Sequence, residues 1–98
     1  MGFRHVVALQ WKAEATDEQR RSAVAALRRL PDLVPTIRSY VVGEDARVND
    51  GNHDLVIVAD FDDLDGYLVY RDHAEHQRVI TNELAPIVAR RAAVQHTT

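Results

Sequence analysis

The segment Phe3–Trp11, FRHVVALQW, constrains the fold most, because its apolar residues follow the period of a β-strand. Alternate residues of a strand share one face, and here the odd positions are Phe3, His5, Val7, Leu9 and Trp11. His5 is therefore the only ionisable side chain in an apolar row. Val6 and Ala8 on the opposite face are also apolar, so we expect both faces of this strand to be covered.

The next segment predicts a helix. Thr16-Asp-Glu-Gln19 is a capping box, in which the threonine side chain accepts from the third amide of the helix and the glutamine reaches back. Ala23, Val24, Leu27 and Leu30 form its apolar stripe. We expect the helix to end near Leu30, because Pro31 and Pro35 do not favour its continuation.

Two further strands are predicted on either side of a turn. The first lies within 36–47, with a bulge or bend at Gly43, and the second is Asp54–Phe61. Asn49-Asp-Gly-Asn52 between them is a strong turn signal. The second strand is the most continuously apolar part of the chain, so it could be covered on both faces.

A second helical region is predicted to begin near Asp62 or Asp63 and to break around Asp72. It resumes at His73 and runs to about Leu84 or Val88, before a short last strand at 89–95. The order β-α-β-β-α-β predicts an α+β, ferredoxin-like protomer, with residues 1–98 as one domain.

Helices on one face of such a sheet leave the other face bare. That face would carry four apolar side chains, Val6, Ala8, Val56 and Val58. An exposed apolar patch of this kind marks an interface. The sequence therefore predicts a homodimer in which two sheets pack face to face.

Composition excludes several classes of function. The 98 residues include no cysteine, so thiolate nucleophiles and thiolate metal sites are absent. The net charge is −3, and no basic stripe with interleaved aromatic residues indicates nucleic-acid binding. No segment has the length of a transmembrane helix or of a signal peptide, so we expect a cytoplasmic protein without a membrane partner.

The stretch YRDHAEH, residues 70–76, concentrates groups that carry chemistry. Histidine titrates near neutral pH and is a common proton-transfer group and metal ligand. His73 and His76, with Asp72 or Glu75, would form only an incomplete metal site, so no metal is expected. A structural role stays open: His5 as a core histidine, His73 as a helix cap and Tyr70 packed beneath the loop.

The order and spacing of several pieces resemble the stress-responsive dimeric α/β-barrel domain family over essentially the whole chain. These pieces are HVVALQWK, the T-x-E-Q cap, the V-G that ends the second strand, LVIVADF and Y-x-x-H-x-x-H. The resemblance implies a ferredoxin-like protomer whose sheets join into a dimeric α/β barrel.

The best-understood resemblance within that family is to polyketide cyclases of the olivetolic acid cyclase type. They close a poly-β-ketoacyl chain by an aldol condensation, keep the carboxylate and need no metal or cofactor. The resemblance places their catalytic groups at His5, Tyr70 and His76, with an intermediate histidine at His73. The chain departs from them in two respects. Ala74 stands where proline is usual, and smaller residues replace the aromatic residues of the pocket: Ala23, Leu27, Val79 and Ile87.

These observations predict a small cofactor-independent lyase or cyclase for a polyketide-like or β-dicarbonyl substrate. His76 would be the base, Tyr70 the donor to the carbonyl oxygen, and His5 an orienting polar group. The expected substrate-binding residues are His73, Val7, Leu9, Leu27, Val79 and Ile80. The alternative is a non-catalytic, stress-responsive dimer that binds a small apolar ligand. A third class, cofactor-independent oxygenation, has no signature in the sequence.

Overall fold

The alternating segment at the start of the chain forms the central strand of a four-stranded antiparallel sheet. The computed structural model describes residues 2–98, and the strand order is β2-β3-β1-β4. The elements are β1 (Phe3–Trp11), α1 (Asp17–Leu33), β2 (Ser39–Glu44), β3 (Leu55–Phe61), α2 (Leu64–Asp72), α3 (Ala74–Val79), a π-helical turn (Ile80–Leu84) and β4 (Val88–Thr97). The predicted α+β, ferredoxin-like protomer is confirmed.

The core lies between one face of this sheet and the helices. Val7 pairs with Ile57 and Leu9 with Leu55, and these four side chains are all nearly inaccessible to solvent. Leu27 of α1 packs in the same apolar cluster. Full burial of such side chains stabilises the fold by about 1.5–3 kcal/mol each, which makes this face the main source of stability.

The opposite face of the sheet is apolar and uncovered. One register row crosses all four strands through valines only: Val41, Val58, Val6 and Val94. Val41 and Val94 are 52% and 62% exposed. The bare apolar face that the sequence predicts is therefore present in the protomer.

The capping box forms as predicted, with the Thr16 side chain accepting from the Gln19 amide and the Gln19 side chain accepting from the Thr16 amide. The predicted end of α1 at Leu30 is wrong, because the helix continues through Pro31 to Leu33. Proline removes one donor and crowds the preceding turn. Here the last turn survives because the Val34 N–H donates to the Leu30 carbonyl, and Val34 itself is completely buried.

Two expectations for the strands are also wrong. Gly43 introduces no bulge, because β2 pairs with β3 in continuous register; a register shift lies instead at Gln10/Trp11, opposite β4. The last strand is not short. It runs over ten residues, because β1 offers it pairing partners along its entire length.

The predicted break between the two helices of the second region is confirmed at His73. This residue has φ −63° and ψ 137°, an extended conformation that ends α2 and starts α3. None of the helices formed by residues 2–98 is long and apolar enough to cross a membrane.

Candidate functional site

A cavity of about 420 Å³ lies between the sheet and the second helical region. This volume is in the range of pockets that hold small molecules. Much of its wall is apolar and comes from both layers: Val7, Leu9, Leu27, Ile57, Ile80 and Leu84. His5, Tyr70 and His76 also line it, so the structure brings these three side chains to one place.

His5, which lines the cavity, belongs to one register row of the sheet. Tyr40 pairs with Ala59, Ala59 with His5, and His5 with Gln95. Paired residues point to the same face, so these four side chains face the helices. The small side chain of Ala59 leaves space at the centre of the row. The ring of Tyr70 lies next to it, with its centroid 6.0 Å from the ring centroid of Tyr40 and 6.1 Å from that of His5.

His5 is held as a neutral imidazole. It is 5% exposed, and the Gln95 side-chain amide donates to its Nδ1 over 2.8 Å. With Nδ1 accepting, the neutral ring carries its proton on Nε2. Burial is the largest cause that lowers the pKa of His5 to about 4, followed by repulsion from the charge of Arg91 and from His76 when that ring is protonated. The ring is therefore uncharged at neutral pH.

Tyr70 is buried among aromatic rings and is only 1% exposed. Its hydroxyl lies 2.9 Å from the hydroxyl of Tyr40, and either phenol can donate. Burial raises the pKa of Tyr70 to about 12, although the hydrogen bond from Tyr40 acts in the opposite direction. Burial also raises the pKa of Tyr40. Both phenols are thus protonated at neutral pH. One hydroxyl donates to the other, so one of the two O–H groups is not used in the hydrogen bond between them.

His76 stacks on Tyr70, with ring centroids 4.0 Å apart and planes inclined by 30°. Its Nδ1 lies 3.0 Å from the carbonyl oxygen of Arg71, which can only accept, so Nδ1 carries the proton. The neutral ring then has its lone pair on Nε2. Burial is the largest cause that lowers the pKa of His76. The ring is therefore poised as a neutral base rather than as a cation.

The break at His73 makes this contact possible. The Nδ1 of His73 accepts from the Glu75 amide over 3.1 Å and caps α3. Because the chain changes direction there, the first turn of α3 brings His76 back over Tyr70. His73 itself is absent from the cavity wall. The structure thus places it at the cap position.

The other predicted lining residues divide into two groups. Val7, Leu9, Leu27 and Ile80 line the cavity, whereas Val79 does not. Val79 is 8% exposed and packs in the core on the side of α3 that contacts α1. Ala23 and Ile87 belong to a separate small apolar cluster with Ala15, so neither replaces an aromatic residue of this cavity.

Three polar residues of the site were missed from the sequence: Tyr40, Gln95 and Arg91. Strand alternation could have placed Tyr40 beside buried Val42, two residues along β2. Gln95 and Arg91 required the register of β4 against β1, which the sequence pattern does not reveal. Within residues 2–98, no three histidine, aspartate or glutamate side chains gather in a way that could hold a metal ion.

With this geometry established, comparison with known proteins identifies the family. The model of the stress responsive A/B barrel domain matches residues 3–97. The chain belongs to the Dabb family. No curated protein sequence matches this Dabb chain.

Solved structures agree with the assignment. A dimeric ferredoxin-like protein of unknown function from Thermobifida fusca is 36% identical, with a TM-score of 0.91 and coverage of 100% of this chain and 92% of that one. A hydroxynitrile lyase from Passiflora edulis is 14% identical, with a TM-score of 0.86 and coverage of 99% and 93%. A putative antibiotic biosynthesis monooxygenase from Chloroflexus aurantiacus is 16% identical, with a TM-score of 0.78 and coverage of 100% and 93%. The last two likenesses show the fold alone.

Proposed function

We propose that this Dabb chain is a cofactor-independent enzyme that catalyses proton transfer and aldol-type ring closure on a polyketide-like or β-dicarbonyl substrate. The observation that carries the proposal is the state of His76. Its Nδ1–H donates to the Arg71 carbonyl, its lowered pKa keeps the ring neutral, and the ring, with its lone pair on Nε2, lines a largely apolar cavity. A neutral, positioned imidazole is an effective general base.

In the proposed reaction, Nε2 of His76 removes a proton from the carbon between two carbonyl groups. The resulting enolate carbon attacks a carbonyl further along the same chain, which forms a carbon–carbon bond and turns that carbonyl oxygen into an alkoxide. The alkoxide takes up the proton, and loss of water follows. No electrons leave the system, so the sequence needs no oxidant, reductant or metal.

Tyr70 and His5 are the polar partners of the base in this proposal. When Tyr40 donates to the Tyr70 oxygen, the Tyr70 O–H is left for the substrate oxyanion. Donors held away from water stabilise developing charge more strongly than donors in solvent. His5, with its proton on Nε2, supplies a second donor on the sheet side of the same cavity.

We further propose that the chain acts as a homodimer through its bare sheet face. The 36% identical relative from Thermobifida fusca is dimeric, and the valine row of this chain supplies a self-complementary apolar surface.

The test uses linear 3,5,7-trioxo acids and their N-acetylcysteamine thioesters, with alkyl ends of increasing length. Cyclised product is followed by mass spectrometry against the spontaneous background. The wild type should accelerate ring closure for at least one length, and His76→Ala should remove the acceleration while circular dichroism stays native. Acceleration that persists in His76→Ala would overturn the assignment of the base.

No metal is expected to take part, because the described residues bring no three metal-ligating side chains together. The two neighbouring histidines each use Nδ1 in a local hydrogen bond: Nδ1 of His73 accepts from the Glu75 amide, and Nδ1 of His76 donates to the Arg71 carbonyl. Turnover should survive dialysis against a chelator, and elemental analysis should find no stoichiometric transition metal. Activity that is lost on chelation and restored by one metal would contradict this part of the proposal.

A second function has one observation in its favour. Tyr70 is only 1% exposed and its hydroxyl already contacts Tyr40, which suits a structural residue as well as a catalytic one. In that case the chain is a non-catalytic dimer that binds a small apolar ligand. The two are separated by the test above: a binder shows saturable ligand binding with no acceleration of ring closure on any substrate.

A further inference from the structure

Arg91 is a cavity-lining arginine whose charge no side chain neutralises. It pairs with Leu9, which is 3% exposed and faces the helices, so the Arg91 side chain stands on the same face. Arg71 also lines the cavity, but both oxygens of the Asp72 carboxylate accept from its guanidinium, at 2.9 and 3.1 Å. Over residues 2–98, no carboxylate forms an ion pair with Arg91.

The cavity around Arg91 has no acidic group of its own. Among the residues that the structure describes, no aspartate or glutamate lines it, so the wall combines apolar side chains, neutral polar groups and one unneutralised cation. The field of that cation reaches the inner end of the cavity. After burial, the charge of Arg91 is the next cause that lowers the pKa of His5, and it also lowers the pKa of His76.

We propose that the natural ligand of this cavity carries a carboxylate, which Arg91 binds at the mouth while the apolar and reactive parts lie against the inner wall. The inference rests on the proposed function in that both use one small-molecule site. Guanidinium binds carboxylate through two parallel, charge-assisted hydrogen bonds. A single unneutralised guanidinium matches a singly charged carboxylate better than a phosphate dianion, because Arg71 is already paired with Asp72.

The position of Arg91 also sets how far the carboxylate lies from the reacting groups. Arg91 and Gln95 lie on one face of β4, four residues apart, which corresponds to roughly 14 Å along the strand before side-chain reach is subtracted. Ala93 lies between them opposite Val7 and leaves the intervening space open. A ligand that contacts Arg91 and the His5 row together must therefore span several carbon–carbon bonds. The substrate class is a long-chain keto acid rather than a short one.

The experiment measures binding of three probes with one apolar body and different heads: 4-butylbenzoate, the neutral 4-butylbenzamide and 4-butylphenyl phosphate. Dissociation constants are measured by calorimetry or NMR titration for the wild type, Arg91→Gln and Arg91→Lys. Arg21→Gln is the matched control, because Arg21 is exposed on α1, lines no part of this cavity and gives the same change of net charge.

The wild type and Arg21→Gln should bind the benzoate about tenfold more tightly than the benzamide. Arg91→Gln should abolish that difference and leave the benzamide unchanged, and Arg91→Lys should retain part of it. The inference is overturned if Arg91→Gln keeps the preference, if the phosphate binds more tightly than the benzoate, or if the wild type binds no probe or shows no preference for the acid.

The result separates this inference from the proposed catalysis. His76→Ala should keep the preference for the benzoate, since His76 does not supply the charge. An Arg91-dependent preference together with no ring closure on any substrate would leave the inference standing and defeat the proposed enzyme. Ring closure that needs His76 but is unchanged by Arg91→Gln, for the free acids as well as the thioesters, would support the proposed enzyme and defeat the inference about Arg91.

Discussion

His5 combines a polar ring with an almost fully buried position, and this has a consequence for stability. Its pKa is lowered from 6.5 to about 4, chiefly by burial. Between these values the unfolded chain binds a proton that the folded chain does not, so the free energy of unfolding falls as the pH is lowered through this window. The loss should approach about 3 kcal/mol near pH 4 and grow no further below it. His76, whose pKa is also lowered, adds in the same direction.

Urea titrations between pH 4 and 7.5, at one fixed protein concentration, measure this dependence. His5→Gln should flatten the slope between pH 6.5 and 4, whatever its effect on absolute stability. His53→Gln removes a histidine from the loop between β2 and β3, outside the cavity, and should keep the slope. An equal slope in His5→Gln and the wild type would contradict the neutral, buried state of His5.

In the proposed mechanism Tyr40 acts through Tyr70, so it would be a positioning residue. Tyr40→Phe removes the hydroxyl that lies 2.9 Å from the Tyr70 oxygen, while the ring can remain packed. The variant should lose roughly 1 kcal/mol of unfolding free energy. If Tyr70 donates to the substrate oxyanion, turnover should fall about tenfold with little change in KM, because the interaction forms only in the transition state.

Tyr70→Phe provides the comparison for this prediction. It should weaken turnover at least as much as Tyr40→Phe, and the double variant should lose less than the two single losses multiplied, since both hydroxyls serve one transition state. Tyr40→Phe and Tyr70→Phe that lose stability but retain full turnover would place both residues in the scaffold alone.

At the scale of elements, the backbone at the junction of α2 and α3 could accept a proline at position 74, where the chain has alanine. Ala74 is the first residue of α3, it is exposed, and no hydrogen bond is formed by its N–H. The preceding residue, His73, already has the extended conformation that a following proline requires. Ala74→Pro should therefore raise the unfolding free energy by about 0.4–1 kcal/mol through the unfolded chain.

Thermal or urea unfolding of Ala74→Pro measures this gain. Ala25→Pro is the control, because Ala25 is also exposed but lies inside α1, where proline should cost about 3 kcal/mol. A loss of stability in Ala74→Pro comparable to that of Ala25→Pro would mean that the break at His73 needs the Ala74 amide.

The elements also show what could be predicted from the sequence. Local signals placed β1, the capping box at Thr16 and the break at His73, since each depends on a few neighbouring residues. The predicted end of α1 was wrong, because the burial of Val34 is a tertiary effect that outweighs the unfavourable effect of proline within a helix. For the site, strand alternation predicted that His5 faces the helices, and helical spacing predicted that His76 points towards the same cavity.

Residues that reach the site through strand register could not be found in this way. Gln95 and Arg91 depend on how β4 aligns with β1, and a shift of one residue would turn both away from the helices. His73 and Val79 were expected at the ligand but lie outside the cavity wall, because the cap and the turn after it rotate them away.

For the whole molecule, the decisive surface is the bare face of the sheet. The valine row Val41, Val58, Val6 and Val94 is bordered on one side by the Arg4–Asp60 ion pair, whose atoms are 2.6 Å apart. An apolar centre with a charged rim is typical of a permanent interface. A stable dimer through this face would bury on the order of 1,200 Å² or more.

The prediction is that the wild type sediments at twice the 11.1 kDa of the protomer at micromolar concentration. Val58→Asp places a charge at the centre of the row and should give the protomer mass, because an unpaired buried carboxylate costs several kcal/mol. Val69→Asp makes the same change on the exposed side of α2, where Val69 is 46% exposed, and should remain dimeric. If Val58→Asp fails to fold, Val94→Asp at the edge of the same row tests the surface with less strain on the core. A wild type of 11.1 kDa would show that the chain does not dimerise, and Val58→Asp and Val94→Asp variants that stay dimeric would place the interface on another surface.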